Sequence, residues 1–314
     1  MVYLNLSGNL GNQLFKYAFA RMIALETNQG ISIRYGEKSY PQSLLALQSF
    51  NIACEEIGIK RIPDAIKYGS VLQRIAFIFK YFFARFSFMQ DSRFVYSLEQ
   101  RDYKLFFKLG VYCHGRGYVP VIIRKHKNYF VNTLGESFRY YSKMNEILKE
   151  EFTPTLPPVD KNQFIYEKAK QRNSVCVSIR AEFIKGDWGD NRRVCTREYY
   201  KKAIEVMSEK LDNPVFIVFS EDPEWVKTNL NIENAVFEDG SDPVWEKLRM
   251  MYSCNHFILS NSTFSWWAQY LSRNVDNKIV ISPFKWFTND YWTDFNEPSW
   301  ITIDSVGQIM SIEK

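Results

Sequence analysis

The sequence predicts an α/β protein built on parallel sheets, and three observations carry that prediction. The chain opens on an apolar run (Val2–Leu6), a glycine-containing turn (Ser7–Asn12) and a helical pattern, the start of an α/β unit. Its second half repeats short, unbroken apolar runs separated by helical stretches, as strands buried on both sheet faces do. Between the halves, Phe152–Asp160 holds three of the 11 prolines, which stop helices and stiffen connections. Two domains are therefore expected, 1–157 and 158–314, with the C-terminal tail a candidate to pack back on the first.

In the first domain, Leu14, Tyr17, Ala18, Met22 and Leu25 share one face of the first helix. Residues 74–89 differ in texture: aromatics crowd around Arg74, Lys80 and Arg85, with no acidic residue among them. Apolar residues surround this segment rather than marking one face, so a buried helix or a pair of helices is expected. The competing reading is peripheral membrane contact through 70–90. In the second domain, Val175–Ile179, Val215–Phe219, Phe257–Ser260 and Lys278–Ser282 read as strands, with helices near 197–211, 243–254 and 263–273. A ligand is expected beyond the C-terminal ends of these strands.

Composition excludes several classes. With 46% hydrophobic and 24% charged residues the chain is globular, neither disordered nor a coiled coil. Forty basic against 35 acidic residues give +5, too mixed for a dedicated nucleic-acid binder. Five scattered cysteines without a CxxC pair read as buried thiols of a reducing compartment. The three histidines are isolated and read as structural, so no metal site is expected. The N-terminus shows no leader pattern and no run is apolar enough to span a membrane. A cytoplasmic protein is expected, with the inner membrane face as the peripheral alternative.

Three stretches carry candidate chemistry. Gly8-Asn-Leu-Gly11-Asn12-Gln13 fits neither a Walker loop nor a dinucleotide fingerprint. Its glycines permit close approach at a helix head, and Asn12 and Gln13 offer amides for sugar hydroxyls. A tight turn with an asparagine cap explains it equally well. Arg180 ends the strand Val177–Ile179, where its fork suits phosphate oxygens; a solvated ion pair is the alternative. Ser260-Asn261-Ser262-Thr263-Phe264-Ser265 follows the third strand and begins a helix with Ser262 as cap. Its hydroxyls exceed what one cap needs and suggest a metal-free phosphate cradle; plain capping is the alternative. No Asp-x-Asp motif is present, so arginine and helix dipoles would have to stabilise a diphosphate leaving group.

At these residues the sequence resembles glycosyltransferase family 11, the α-1,2-fucosyltransferases. Gly8-Asn-Leu-Gly-Asn-Gln-Leu-Phe-Lys-Tyr-Ala18 is similar to that family's N-terminal signature. Ser260-Asn-Ser-Thr-Phe-Ser-Trp-Trp-Ala268, preceded by Cys254-Asn-His256, is similar to its C-terminal one. The resemblance implies a GT-B-like fold of two Rossmann-like domains facing a cleft, with an acceptor-side domain first and a GDP-sugar-binding domain second. It also implies inverting, metal-independent transfer from GDP-fucose to a sugar hydroxyl, such as O-2 of a terminal galactose, without a cofactor. Related fucosyltransferases hold the diphosphate with His-x-Arg-Arg-x-Asp, and here the matching stretch is Ser178-Ile-Arg180-Ala181-Glu182-Phe183. Only the first arginine is kept, leaving Lys185, Arg192 or Arg193 to assist. Losing one charge-assisted hydrogen bond costs about 1.5–3 kcal/mol, roughly one to two orders of magnitude in rate.

The expected site follows. Arg180 stabilises the leaving diphosphate together with Asn261, Ser262, Thr263, Phe264 and Ser265. Glu182, Asp187 and Asp190 are candidate proton acceptors by proximity in sequence. Ser220, Glu221, Asp222, Asp239 and Asp242 are candidates for the nucleoside. Gly11, Asn12 and Gln13 are expected to line the cleft. Alternatives are a catalytically impaired GDP-sugar- or glycan-binding homologue, or transfer from another GDP-sugar.

Overall fold

The computed structural model describes residues 1–35, 46–58, 66–87, 101–115, 117–187, 189–273, 277–288 and 293–310, with the backbone alone over 81–87. Trp188 and the end of the 70–90 segment lie outside the described residues. The chain divides into two compact units, Met1–Phe152 with Tyr291–Phe295, and Thr153–Asp290 with Asn296–Lys314. Each has its own α/β sheet, in keeping with the predicted class.

The first unit contains β1 (Val2–Leu6), β2 (Ile31–Tyr35), β3 (Glu56–Gly58), β4 (Val111–Tyr112) and β5 (Tyr129–Val131), ordered β3-β2-β1-β5-β4. Every pairing is parallel. From the central strand the chain turns through Gly8, at φ 86°, into α1 (Leu10–Thr27). A Cβ on Gly8 would meet Asn12 Nδ2 at 3.0 Å, and few side chains tolerate that φ. The predicted face of α1 is too narrow. Burial is continuous from Gln13 to Ala20, whereas Leu25 is exposed. The helix is covered on its far side by residues near 140–152: Tyr141 Oη donates to the Phe15 carbonyl at 3.2 Å, and Tyr17 Oη to Glu151 at 2.7 Å.

The aromatic segment forms α2 (Val71–Ser87), with a neighbouring helix α3 over 101–108. Burial all round, as expected, is not what occurs. Gln73, Ala76, Phe77 and Lys80 are buried, while Val71, Leu72, Ile75, Ile78 and Phe79 are exposed. Polar anchors set this rotation. Ser70 and Gln73 form a reciprocal capping box at 2.9 and 3.3 Å. Gln73 Nε2 donates to the Leu109 and Asn128 carbonyls, and Lys80 pairs with Asp102 at 2.8 Å. Unmade buried hydrogen bonds cost more than exposed methyl groups, so the polar side chains turn inward.

The second unit holds β6 (Ser174–Ile179), β7 (Val215–Ser220), β8 (Ala235–Phe237), β9 (His256–Ile258), β10 (Val280–Pro283), β11 (Ile301–Ile303) and β12 (Ile309–Met310). Their order is β12-β11-β10-β9-β6-β7-β8, parallel throughout except for β11 with β12. All six residues of β6 and of β7 are buried, which is why both read as unbroken apolar runs. The helices of this unit include α4 (Ala181–Lys185), α5 (Arg197–Lys210), α6 (Pro223–Asn229), α7 (Val244–Tyr252) and α8 (Thr263–Leu271).

The five cysteines are free, with Cys176, Cys195 and Cys254 buried. The histidines hold structure. His114, whose pKa burial pushes down to about 3, lies 3.2 Å from both Thr133 Oγ1 and Tyr140 Oη. His256 Nδ1 accepts from the Ile279 amide, and His126 bonds the Lys108 carbonyl. Among the described residues no helix is long and apolar enough to cross a membrane.

Candidate functional site

Parallel pairing places the C-terminal ends of β9, β6, β7 and β8 on one edge of the second sheet. Ile179 is in register with Ser220, so Arg180 and Glu221 leave the sheet side by side. The segments that follow these four strands are Ser260–Ser265, Arg180–Lys185, Glu221–Asp222 and Glu238–Asp242. Every second-unit candidate for donor binding therefore sits at the edge where parallel sheets hold ligands.

Arg180 caps α4 and turns its guanidinium towards carboxylates. Nη2 donates to Glu182 Oε1, and Nε lies 3.8 Å from Glu221 Oε2. Glu221 in turn accepts from the Glu182 amide at 2.6 Å. Desolvation lowers the Arg180 pKa while Glu221 opposes the fall, and partial burial raises the Glu221 carboxyl. Arg180 Nε is buried without a hydrogen-bond acceptor. The cation is thus held by two carboxylates, with its Nε left over.

A second guanidinium is close by. Arg180 lies over the Phe183 ring at 4.7 Å, and Arg192 lies over the same ring at 5.8 Å and over Phe287 at 4.8 Å. A loop after α4 brings Arg192 to the same aromatic ring as Arg180. Phe183 was not singled out from sequence, although three residues after Arg180 it falls on the same helical face. Lys185 is engaged elsewhere: it binds Asp222 Oδ2 at 2.5 Å and lies 5.4 Å over Trp225. That hydrogen bond lowers the Asp222 carboxyl, whose other oxygen caps α6 through the Trp225 amide at 3.0 Å. Arg193 is exposed on the loop.

Serine hydroxyls link β6 to the head of α8. Ser178 Oγ and Ser260 Oγ are 3.1 Å apart, and Ser260 and Ser265 Oγ 3.4 Å. Ser265 Oγ donates to the carbonyls of Ser260 and Ser262. Ser262 caps the helix by accepting from the Phe264 amide at 3.3 Å. Much of the hydroxyl density is therefore spent on building the turn. Asn261 Nδ2 donates to the Arg192 and Trp286 carbonyls at 3.0 and 3.2 Å, which ties the arginine loop to the α8 N-terminus. Its buried Oδ1 has no hydrogen-bond donor.

Beyond β8, the carboxylates of Glu238, Asp239 and Asp242 come within 4.8 Å of one another. Lys161 Nζ reaches Asp239 at 2.9 Å and Asp242 at 3.3 Å, and Lys247 Nζ reaches Glu238 at 3.4 Å. Ser241 and Lys161 hold the Asp239 carboxyl far below the ordinary range, whereas burial raises Glu238. Asp239 is exposed; Glu238 and Asp242 are buried. Two ammonium groups already oppose these acids. Glu238 was missed in the sequence because it follows the strand Ala235–Phe237, too short to read.

Of the candidate proton acceptors, Glu182 is ion-paired to Arg180, while Asp187 and Asp190 are exposed on the loop after α4. In the first unit, Gly11 and Gln13 are buried and Asn12 is partly buried at the start of α1. Gln13 Nε2 donates to the Gly8 carbonyl at 2.8 Å, so this amide braces the turn.

Comparison with known proteins supplies an independent line. The sequence model described as "Glycosyl transferase family 11" matches residues 1–304. An Escherichia coli alpha-1,2-colitosyltransferase is 31% identical over 181 residues, 53% of this chain and 59% of that protein's length. The E. coli O-antigen biosynthesis glycosyltransferase WbnK is 25% identical over 325 residues, 96% of this chain and 100% of the relative. Human galactoside alpha-(1,2)-fucosyltransferase 1 is 32% identical over 78 residues, 24% of this chain and 21% of that one. Among solved structures, NodZ alpha-1,6-fucosyltransferase co-crystallised with GDP has a TM-score of 0.51 at 12% identity, covering 98% of this chain and 96% of NodZ. The fold is thus GT-B-like.

Proposed function

The chain belongs to glycosyl transferase family 11, and from that premise we propose that it transfers fucose from GDP-fucose to a sugar hydroxyl, with a terminal galactose O-2 as acceptor, inverting the anomeric carbon without a metal ion. The observation that carries this reading is the adjacency of Arg180, at the end of β6, to the serine-capped head of α8 after β9. A guanidinium fork and a helix N-terminus on neighbouring strands form a cradle for a diphosphate. The relatives' names support the sugar classes: one is a colitosyltransferase, another a galactoside fucosyltransferase.

The acceptor oxygen attacks the anomeric carbon as the bond from that carbon to the β-phosphate oxygen breaks, and GDP leaves with the electron pair. Arg180 exchanges Glu182 and Glu221 for phosphate oxygens, Arg192 supplies the second cation, and the amides after Ser262 face the growing charge. The acceptor's proton passes to a carboxylate. Glu182, released from Arg180 by the incoming phosphate, and the exposed Asp187 and Asp190 are the candidates for it. Ser220, Asp222, Asp239 and Asp242 are proposed for the nucleoside, and Gly11 and Asn12 for the acceptor side, with Gln13 bracing their turn.

Incubation with GDP-fucose, GDP-mannose and GDP-colitose and a galactoside acceptor tests the donor. The fastest GDP release is expected from GDP-fucose. Faster release from GDP-colitose would favour the colitosyl reading that the E. coli relative suggests. GDP binding with no release from any donor would overturn the enzymatic proposal.

A further inference from the structure

The outer face of α2 has no place in the donor chemistry, and its composition is unusual for a surface. Val71, Leu72, Ile75, Ile78 and Phe79 are exposed, Val71 by 70% and Ile75 by 60%. At about 100° per residue these five fall within an arc of roughly 120°. The opposite arc holds buried Gln73, Ala76, Phe77 and Lys80. The hydrogen bonds of Gln73 and the Lys80–Asp102 ion pair fix the helix in this rotation, apolar side outward. On α3, Leu105 is also exposed, and Phe79 stacks on Phe106 at 6.3 Å, which joins the two helices.

The charge beside this stripe is of one sign. Between Asp64 and Asp91 the sequence has no acidic residue. Lys67 and Arg74 near the start of α2, and Arg101, Lys104 and Lys108 on α3, are exposed. Asp102, the acid of α3, is taken by Lys80. An apolar stripe edged by cations complements an anionic lipid surface, where methyl groups enter the acyl boundary and cations meet headgroups. A second copy of the same face would set cations against cations. We propose that the exposed face of α2, flanked by the α3 cations, docks this protein on anionic bilayers as an interfacial helix. The proposal is independent of the donor reading, since the residues involved take no part in the site described above.

Flotation of the full chain with phosphatidylcholine vesicles, with and without phosphatidylglycerol, tests it. Binding is expected to the phosphatidylglycerol vesicles alone and to weaken as salt is raised. The double variant Ile75→Ser/Ile78→Ser is expected to lower partitioning at least about 10-fold, and Lys104→Ala about 5-fold, with circular dichroism and GDP release unchanged. Equal binding to neutral vesicles, no binding to either, or full binding by the double variant would overturn the proposal. So would a dimer in sedimentation that the same double variant dissociates, since the face would then belong to a second copy.

Discussion

Replacing Arg180 with alanine is expected to lower transfer from GDP-fucose by about 100-fold or more, the usual loss when one donor to a developing oxyanion is removed. Folding should survive. The Arg180–Glu182 pair is partly solvent-exposed, at 30% and 22% for the two side chains, and such pairs contribute only about 0–1 kcal/mol. Arg180→Lys keeps the charge but loses the fork, so intermediate activity is expected. Steady-state rates with GDP-fucose, read beside a thermal melt, separate the outcomes. An unchanged rate would remove Arg180 from the chemistry, and a collapsed melt would make its role structural.

Glu246→Ala is expected to destabilise the second unit by about 3–5 kcal/mol, the range found when one member of a buried ion pair is removed. Glu246 is fully buried on α7. Its Oε1 accepts from the Val159 amide at 2.9 Å, Asn162 Nδ2 at 3.2 Å and Tyr166 Oη at 2.9 Å. Its Oε2 accepts from Arg249 Nη1 at 3.1 Å, and Arg249 also bonds the carbonyls of Pro154 and Leu156. One carboxylate therefore tethers the proline-rich segment to α7, and its loss leaves a buried guanidinium without its counter-ion. Denaturant unfolding of this variant beside Glu246→Gln, which keeps the hydrogen-bond acceptor, checks the expectation. A loss below about 1 kcal/mol, the size of one ordinary hydrogen bond, would contradict it.

The second sheet was legible because its central strands are buried on both faces. Val175–Ile179 and Val215–Phe219 carry no polar alternation to obscure them, and Arg180 and Ser262 announce the strand ends. Much of the first sheet was not legible. Glu56–Gly58 and Val111–Tyr112 span three and two residues, too short for any period to show. The rotation of α2 was hidden for a different reason. Its apolar residues run all round, and the deciding forces are a capping box and a lysine that finds its partner 22 positions away. In the site, the place of Arg180 could be read from the strand, whereas its present partners could not. Glu221 reaches it through β-sheet register, and Arg192 approaches through a ring both cations share. The Asn12 and Gln13 amides looked available for a ligand, yet Gln13 donates to the turn that creates it.

The most direct measurement is a crystal structure of the protein grown with GDP. The diphosphate should lie at the C-terminal edge of β6 and β9, within hydrogen-bond reach of the Arg180 guanidinium and the backbone amides that follow Ser262, with Glu182 displaced from Arg180. GDP bound with its phosphates away from both groups, and Arg180 still paired with Glu182, would contradict the account.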